Sequence, residues 1–148
     1  MRVRDPHNPD ALDAVRPGPC AAWSPESSDM IKQILERVGD KWSVLILATL
    51  GDGPLRYTAL HASVTGISQR MLTLTLRQLV RDGLVQRFAY AETPPRVEYD
   101  LTELGHTLHS IVNTLAHWAG THHEQIRQNR HAFDNAPPCD RGAAGVST

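Results

Sequence analysis

Hydrophobic and polar positions recur along this chain with two different periods, and the places where the period changes divide it. From Asp29, the stretch DMIKQILERVG puts Met30, Ile31, Ile34, Leu35 and Val38 at helical spacing. Asp29 as a cap and Gly39 as a stop complete a predicted first core helix. Asp40 then caps KWSVLILATLGDG, whose Trp42, Val44, Leu45, Ile46, Leu47 and Leu50 are apolar nearly all round, so this second helix is expected in the middle of the domain. Leu55-Arg56-Tyr57 suits one short extended rung, and Thr58 can cap a brief helix through TALHASV.

The next stretch, GISQRMLTLTLRQLVRDGLV, predicts a helix of about fifteen residues between a Ser68 cap and Gly83. At roughly 100° per residue, Ser68, Leu72, Thr75, Leu76 and Leu79 share the side a domain would bury. Arg70, Thr73, Leu74, Arg77 and Arg81 gather opposite, with no acid among them. Two helices joined by a short Gly-containing connection make a helix-turn-helix, whose second member is the usual reader of the major groove.

After Gly83 the period drops to two. Leu84, Gln86, Phe88 and Tyr90 alternate with Val85, Arg87, Ala89 and Ala91, and Val97, Tyr99 and Leu101 alternate with Glu98 and Asp100. Glu92-Thr93-Pro94-Pro95 joins the two runs, and the prolines belong at an exposed tip because they cannot donate ladder bonds. This hairpin is the wing. Thr102 and Glu103 then open a long helix with Leu104, Leu108, Ile111, Val112, Leu115 and Trp118 as its apolar stripe.

The expected fold class is mostly α with a small antiparallel β wing, a winged helix-turn-helix. Residues 1–28 are read as a flexible arm that docks through Trp23, 29–101 as the DNA-binding domain, 102–133 as a dimerisation helix and 134–148 as a disordered tail. No apolar run approaches the roughly 20 residues of a membrane-spanning helix, and the N-terminus lacks the apolar core of a signal peptide, so a cytoplasmic protein without a membrane partner is expected. Cys20 and Cys139 are too few and too badly spaced for a disulfide framework or zinc site.

The formal charge of −1 conceals an asymmetry. Arg56 through Arg96 holds six arginines against Asp82 and Glu92, an excess of four positive charges, whereas the remainder has nine basic and fourteen acidic residues. A basic middle between acidic flanks suggests a polyanion partner for the middle alone. Arg70 and Arg77 project from the groove-facing side, so one can fork to a guanine while the other meets phosphate. Gln69 and Thr73 serve equally as base or water contacts. Ser68 would bring the first-turn amides to a phosphate. Arg96 at the wing tip is expected at the minor groove or a flanking phosphate. Arg56 is a phosphate candidate that could instead pair with Asp52, and Leu74 either touches a thymine methyl or is a tolerated surface leucine.

Trp42 reads as core rather than as a ligand platform, and Trp118 as part of a dimer seam. His106, His109 and His117 share a face, but no Cys or carboxylate cluster joins them, so surface or interface histidines are expected, with no metal and no cofactor. No Gly-rich phosphate loop, nucleophile elbow or plausible carboxylate pair points to an enzyme.

The order and wording of these pieces resemble the HxlR-type winged helix-turn-helix regulators of the MarR-like group. The matching residues are Gly39 with Lys41-Trp42, Gly53 to Tyr57, Gly66 to Leu72, Leu76 to Leu79, Asp82 to Val85, Pro94 to Tyr99, and Leu101 to Gly105. The resemblance covers about Asp29 to Trp118 and implies a homodimeric transcriptional regulator on a pseudo-palindromic double-stranded DNA operator. It implies dimer contacts from the N-terminal segment and the last helix, where Trp23, Leu108, Leu115 and Trp118 are the candidates. It also puts the reading positions on Ser68, Gln69, Arg70, Thr73 and Arg77. Family members commonly carry a Cys about thirteen residues ahead of the Trp, sometimes as an oxidant sensor; here that position is Asp29, flanked by Ser28, and Cys20 lies nine residues upstream. The resemblance therefore does not extend to a cysteine sensor, and any small-molecule effector is unidentified. A winged helix used as a protein-interaction module that never engages DNA is the competing reading, with Leu74 in its favour.

Overall fold

A computed structural model describes residues 22–137 of the chain, which divides into two compact units, Met1–Gly39 and Asp40–Thr148. Cys20, Cys139 and most of the expected arm and tail lie outside the described residues.

The described part of the first unit is dominated by one helix, α1 (Pro25–Gly39). It begins five residues earlier than the Asp29 cap predicts, at Pro25 rather than Met30. Ser24 accounts for this: its Oγ accepts from the Ser27 amide at 3.3 Å and its carbonyl from the Ser28 amide at 2.8 Å. Pro25 then occupies the first helical position, where its missing N–H costs nothing and its φ suits the helix. The expected core helix is not one, because α1 buries none of its residues and Met30, Ile34 and Leu35 are each at least half exposed.

The second unit runs α2 (Lys41–Leu50), β1 (Leu55–Arg56), α3 (Tyr57–Ser63), α4 (Gln69–Arg81), β2 (Val85–Tyr90), β3 (Arg96–Leu101) and α5 (Glu103–Asp134). Asp40 caps α2 as expected, accepting from the Ser43 amide at 3.2 Å and the Ser43 hydroxyl at 2.9 Å. That pair satisfies a hydroxyl which is itself fully buried. Ile46, Leu47 and Leu50 of α2 are buried, whereas Leu45 is exposed, so the helix is central on one face only. Thr58 is not the cap of α3; the helix opens at Tyr57 with Arg56 in the cap position and no side-chain hydrogen bond.

Around α2 the core gathers Leu60 and Val64, then Leu72, Leu76 and Leu79 of α4, Val85, Tyr99 and Leu101 of the sheet, and Val112 of α5. Trp42 is half-buried against this cluster, in keeping with a core role. The sheet is antiparallel in the order β1-β3-β2. β2 and β3 pair from Val85 with Leu101 to Tyr90 with Arg96, and the short rung β1 pairs Leu55 with Tyr99 and Arg56 with Glu98.

The long helix is tied to the sheet at its first turn. Thr102 caps α5 by accepting from the Gly105 amide at 3.0 Å, its hydroxyl donates to the Gly83 carbonyl, and its own amide donates to the Leu84 carbonyl at 3.1 Å. Gly83 can meet this geometry because its φ of 75° lies in the left-handed region. Gly105 is needed for a different reason: a Cβ there would sit 2.0 Å from the Leu84 carbonyl oxygen. Alanine normally favours a helix interior over glycine by about 0.5–1 kcal/mol, but here the backbone oxygen must move. Gly105→Ala is therefore expected to destabilise the fold by about 1–3 kcal/mol, read as a lower urea midpoint; an unchanged or higher midpoint would contradict this packing.

Candidate nucleic-acid interface

The helix-turn-helix of this chain is α3 and α4, joined through Gly66, whose φ is 88°. Ser68 caps α4 by accepting from the Met71 amide at 3.1 Å. The 3.6-residue period then decides direction. Leu72, Thr75, Leu76 and Leu79 point inward and are buried, while Thr75 returns its hydroxyl to the Met71 carbonyl at 2.8 Å. Gln69, Arg70, Thr73, Leu74, Arg77 and Arg81 are all exposed.

Arg70 and Arg77 lie on one ridge, since seven residues make nearly two turns and separate them by about 10 Å along the axis. Neither has an ion-pair partner among the described residues, and the same is true of Arg56, Arg81 and Arg87. Leu74 is half exposed within this otherwise polar face.

Tyr57 holds the first turn of α4 against α3. Its hydroxyl donates to the Gln69 carbonyl at 3.1 Å and lies 3.0 Å from the Thr73 hydroxyl. Thr73 is thus already engaged within the protein, a contact the spacing of α4 alone does not reveal. His61 adds a second tie, with Nε2 3.0 Å from the Ile67 carbonyl oxygen.

The wing differs from the expected free cation at its tip. Arg96 folds back: its Nη2 lies 3.2 Å from Glu92 Oε1, its Nε 3.4 Å from Glu98 Oε1, and its Cζ 4.2 Å from the Tyr90 ring centroid. The Nε is buried and makes no aligned hydrogen bond, so Glu98 acts on it as a nearby charge. The unpartnered cations beside the wing are instead Arg56 and Arg87. Sequence reading left out Arg87, although it stands in the alternating run that forms β2. With Tyr57, Pro94 and Pro95 these two arginines line a notch of about 510 Å³ between the start of α3 and the wing.

Of the residues expected in a dimer seam, Leu115 and Trp118 are half exposed and Trp23 is 38 % exposed. Leu108 is different, packed against the core of its own chain. Val112 is fully buried in the same way. His109 is also drawn inward, close enough to Gly51 that a Cβ there would overlap its ring, so it does not share the surroundings of the exposed His106 and His117. Among the described residues no group of His, Cys, Asp or Glu could hold a metal ion, and no helix is long and apolar enough to cross a membrane.

Residues 37–127 match the family model described as HxlR-like helix-turn-helix. The chain belongs to the HxlR-like helix-turn-helix family. Family membership makes it a DNA-binding transcriptional regulator of the helix-turn-helix type and not an enzyme. A relative described as an uncharacterized HTH-type transcriptional regulator of Methanothermobacter thermautotrophicus is 43% identical over 97 residues, which are 64% of this chain and 74% of the relative. The similarly described YkvN of Bacillus subtilis is 44% identical over 90 residues, 61% of this chain and 76% of its own. The solved structure of the redox regulator HypR in its reduced form superposes with a TM-score of 0.62 at 37% identity, covering 66% of this chain and 97% of that one.

Within this HxlR-like scaffold, Tyr57 is one of two side chains, with His61, that tie α3 to the start of α4. Tyr57→Phe is expected to lower stability by about 0.5–1.5 kcal/mol, the net value of such a hydrogen bond, and to free Thr73. Chemical denaturation of the variant checks this; wild-type stability would show that the hydroxyl ties nothing down.

Proposed function

We propose that this HxlR-like regulator binds a pseudo-palindromic duplex as a homodimer, with α4 of each copy in the major groove and the wing beside it. One observation carries the reading: the capped helix α4 exposes an acid-free ridge bearing Arg70 and Arg77 while its other face is locked into the core. Arginine can fork to guanine O6 and N7, and a phosphate-lined groove favours cations that have no intramolecular partner. Gln69 and Thr73 reach base edges or waters, with Thr73 keeping Tyr57 as its structural partner. Ser68 presents the free amides of the first turn to a phosphate.

The second copy is proposed from α5. Ile111, Leu115 and Trp118 follow each other at intervals of four and three, with Leu104 one heptad before Ile111, and all four are at least half exposed. This is the spacing of a helix seam. His122 extends it by stacking on Trp118 at 4.9 Å between ring centroids. Covering the exposed half of each such side chain is worth about 1 kcal/mol. Trp23 and the apolar positions of α1 would add contacts from the N-terminal segment. Dimer symmetry then asks for half-sites about 10 base pairs apart.

Leu74 is the observation that favours the competing protein-interaction module, since a half-exposed leucine on the outer face suits an apolar partner. Genomic footprinting of the purified protein separates the readings, because discrete protected sites name an operator whereas an interaction module protects none. With such a site in hand, Arg70→Ala is expected to weaken specific binding by about 1–3 kcal/mol; unchanged affinity by titration rejects Arg70 as a base reader. Ile111→Asp with Leu115→Asp is expected to give a folded monomer by sedimentation, since neither side chain belongs to the core. A wild-type protein that sediments as a monomer would remove the dimer.

A further inference from the structure

The wing of this protein contains both the cations and the acids needed to decide which arginine meets DNA. β1 is only two residues long and covers Tyr99 and Glu98 of β3, so at Val97 and Arg96 β3 pairs with β2 on one side and, among the described residues, with no strand on the β1 side. Val97, Arg96 and Tyr99 of β3 line the notch together with Arg56, Tyr57 and Arg87. Tyr57 also bonds the first turn of α4, so the notch adjoins the end of the reading helix where Ser68, Gln69 and Arg70 stand.

We infer that this notch grips a backbone phosphate of duplex DNA with Arg56 and Arg87, while Arg96 stays inside the wing as the counter-ion of Glu92 and Glu98. The inference rests on the DNA-binding reading above and assigns the wing's share of the contact. Arg56 and Arg87 are exposed and have no ion-pair partner among the described residues. Arg56 faces Glu98 across the β1–β3 register, yet Glu98 is engaged by Arg96 at 3.4 Å. Glu92 lines the notch and would repel a phosphate there, but Arg96 stands 3.2 Å from it.

Moving Arg96 out to DNA would give up two ion pairs and the Tyr90 ring for one phosphate. It would also leave two carboxylates facing a polyanion. Arg56 and Arg87 have no comparable contact to lose. Arg96 therefore serves binding indirectly, by neutralising the wing's own acids and holding Tyr90 and the proline tip in place.

Salt dependence tests this. Each phosphate neutralised contributes nearly one unit to the slope of log affinity against log salt concentration. The full-length protein and its variants are titrated against a fluorescent duplex of mixed sequence over a series of salt concentrations, with circular dichroism melts confirming that each variant folds. Arg56→Ala and Arg87→Ala are each expected to flatten the slope by about 1 and to weaken binding alike on all sequences. The triple variant Glu92→Gln, Glu98→Gln with Arg96→Gln, which removes Arg96 together with both acids it neutralises, is expected to keep the wild-type slope. A full wild-type slope in either single-arginine variant overturns the phosphate grip, and a slope flattened by about 1 in the triple variant overturns the assignment of Arg96. If the wild-type protein fails to bind DNA even at low salt, the DNA reading itself falls and this inference with it.

Discussion

Burial of Leu72, Leu76 and Leu79 against the α2 side of the core determines which way every other side chain of α4 points. A helix has one angular freedom about its own axis, and three fully buried leucines remove it. Once that face is locked, Arg70 and Arg77 must emerge together on the opposite ridge, two turns apart. The Ser68 cap and the Tyr57 hydroxyl then set where the helix starts along its axis. On the proposed reading, the contact with DNA is in this sense a consequence of core packing: the same leucines that stabilise the domain orient its arginines.

The wing follows a different logic. Its strands have one shared register, but its charge is mixed, and Arg96 is surrounded by the acids and aromatic ring of its own hairpin. Surface ion pairs are individually weak, about 0–1 kcal/mol each, yet here they act together on one arginine whose side chain is only 26% exposed. An arginine at a wing tip is thus not automatically a groove contact. What surrounds it decides, and the unpartnered Arg56 and Arg87 are better placed to act on a polyanion.

Much of the fold was legible in the residues because it depends on local period and punctuation. The amphipathic run after Gly66, the change to period two after Gly83, and the capping residues Asp40, Ser68 and Thr102 each carry their signal within a few positions. Three features departed from that pattern, one despite a local signal and two because they depend on packing with distant parts of the chain. The earlier start of α1 turns on the Ser24-Pro25 pair, a signal present in the sequence but outweighed by the apolar run that begins at Met30. The engagement of Arg96 and of Thr73 depends on partners across the hairpin or sixteen residues away. Leu108 and Leu115 lie one heptad apart on nearly the same side of α5, but the packing of α5 against α2 and β3 takes in Leu108 and Val112 and leaves Leu115, further along the helix, exposed.

HypR, among the structural relatives, is a redox regulator. Its fold is shared here at 37% identity, but the described residues contain no cysteine. What is held in common is the fold, and the proposed entry of the α4 ridge into the major groove is the point most directly open to test. Methylation of guanine N7 places a methyl group in the major groove at the position an arginine fork would occupy. Methylation interference on a footprinted site should therefore show two clusters of inhibitory guanines about one helical turn apart. Undisturbed binding by DNA methylated at every guanine N7 would mean that the ridge of Arg70 and Arg77 does not enter the major groove.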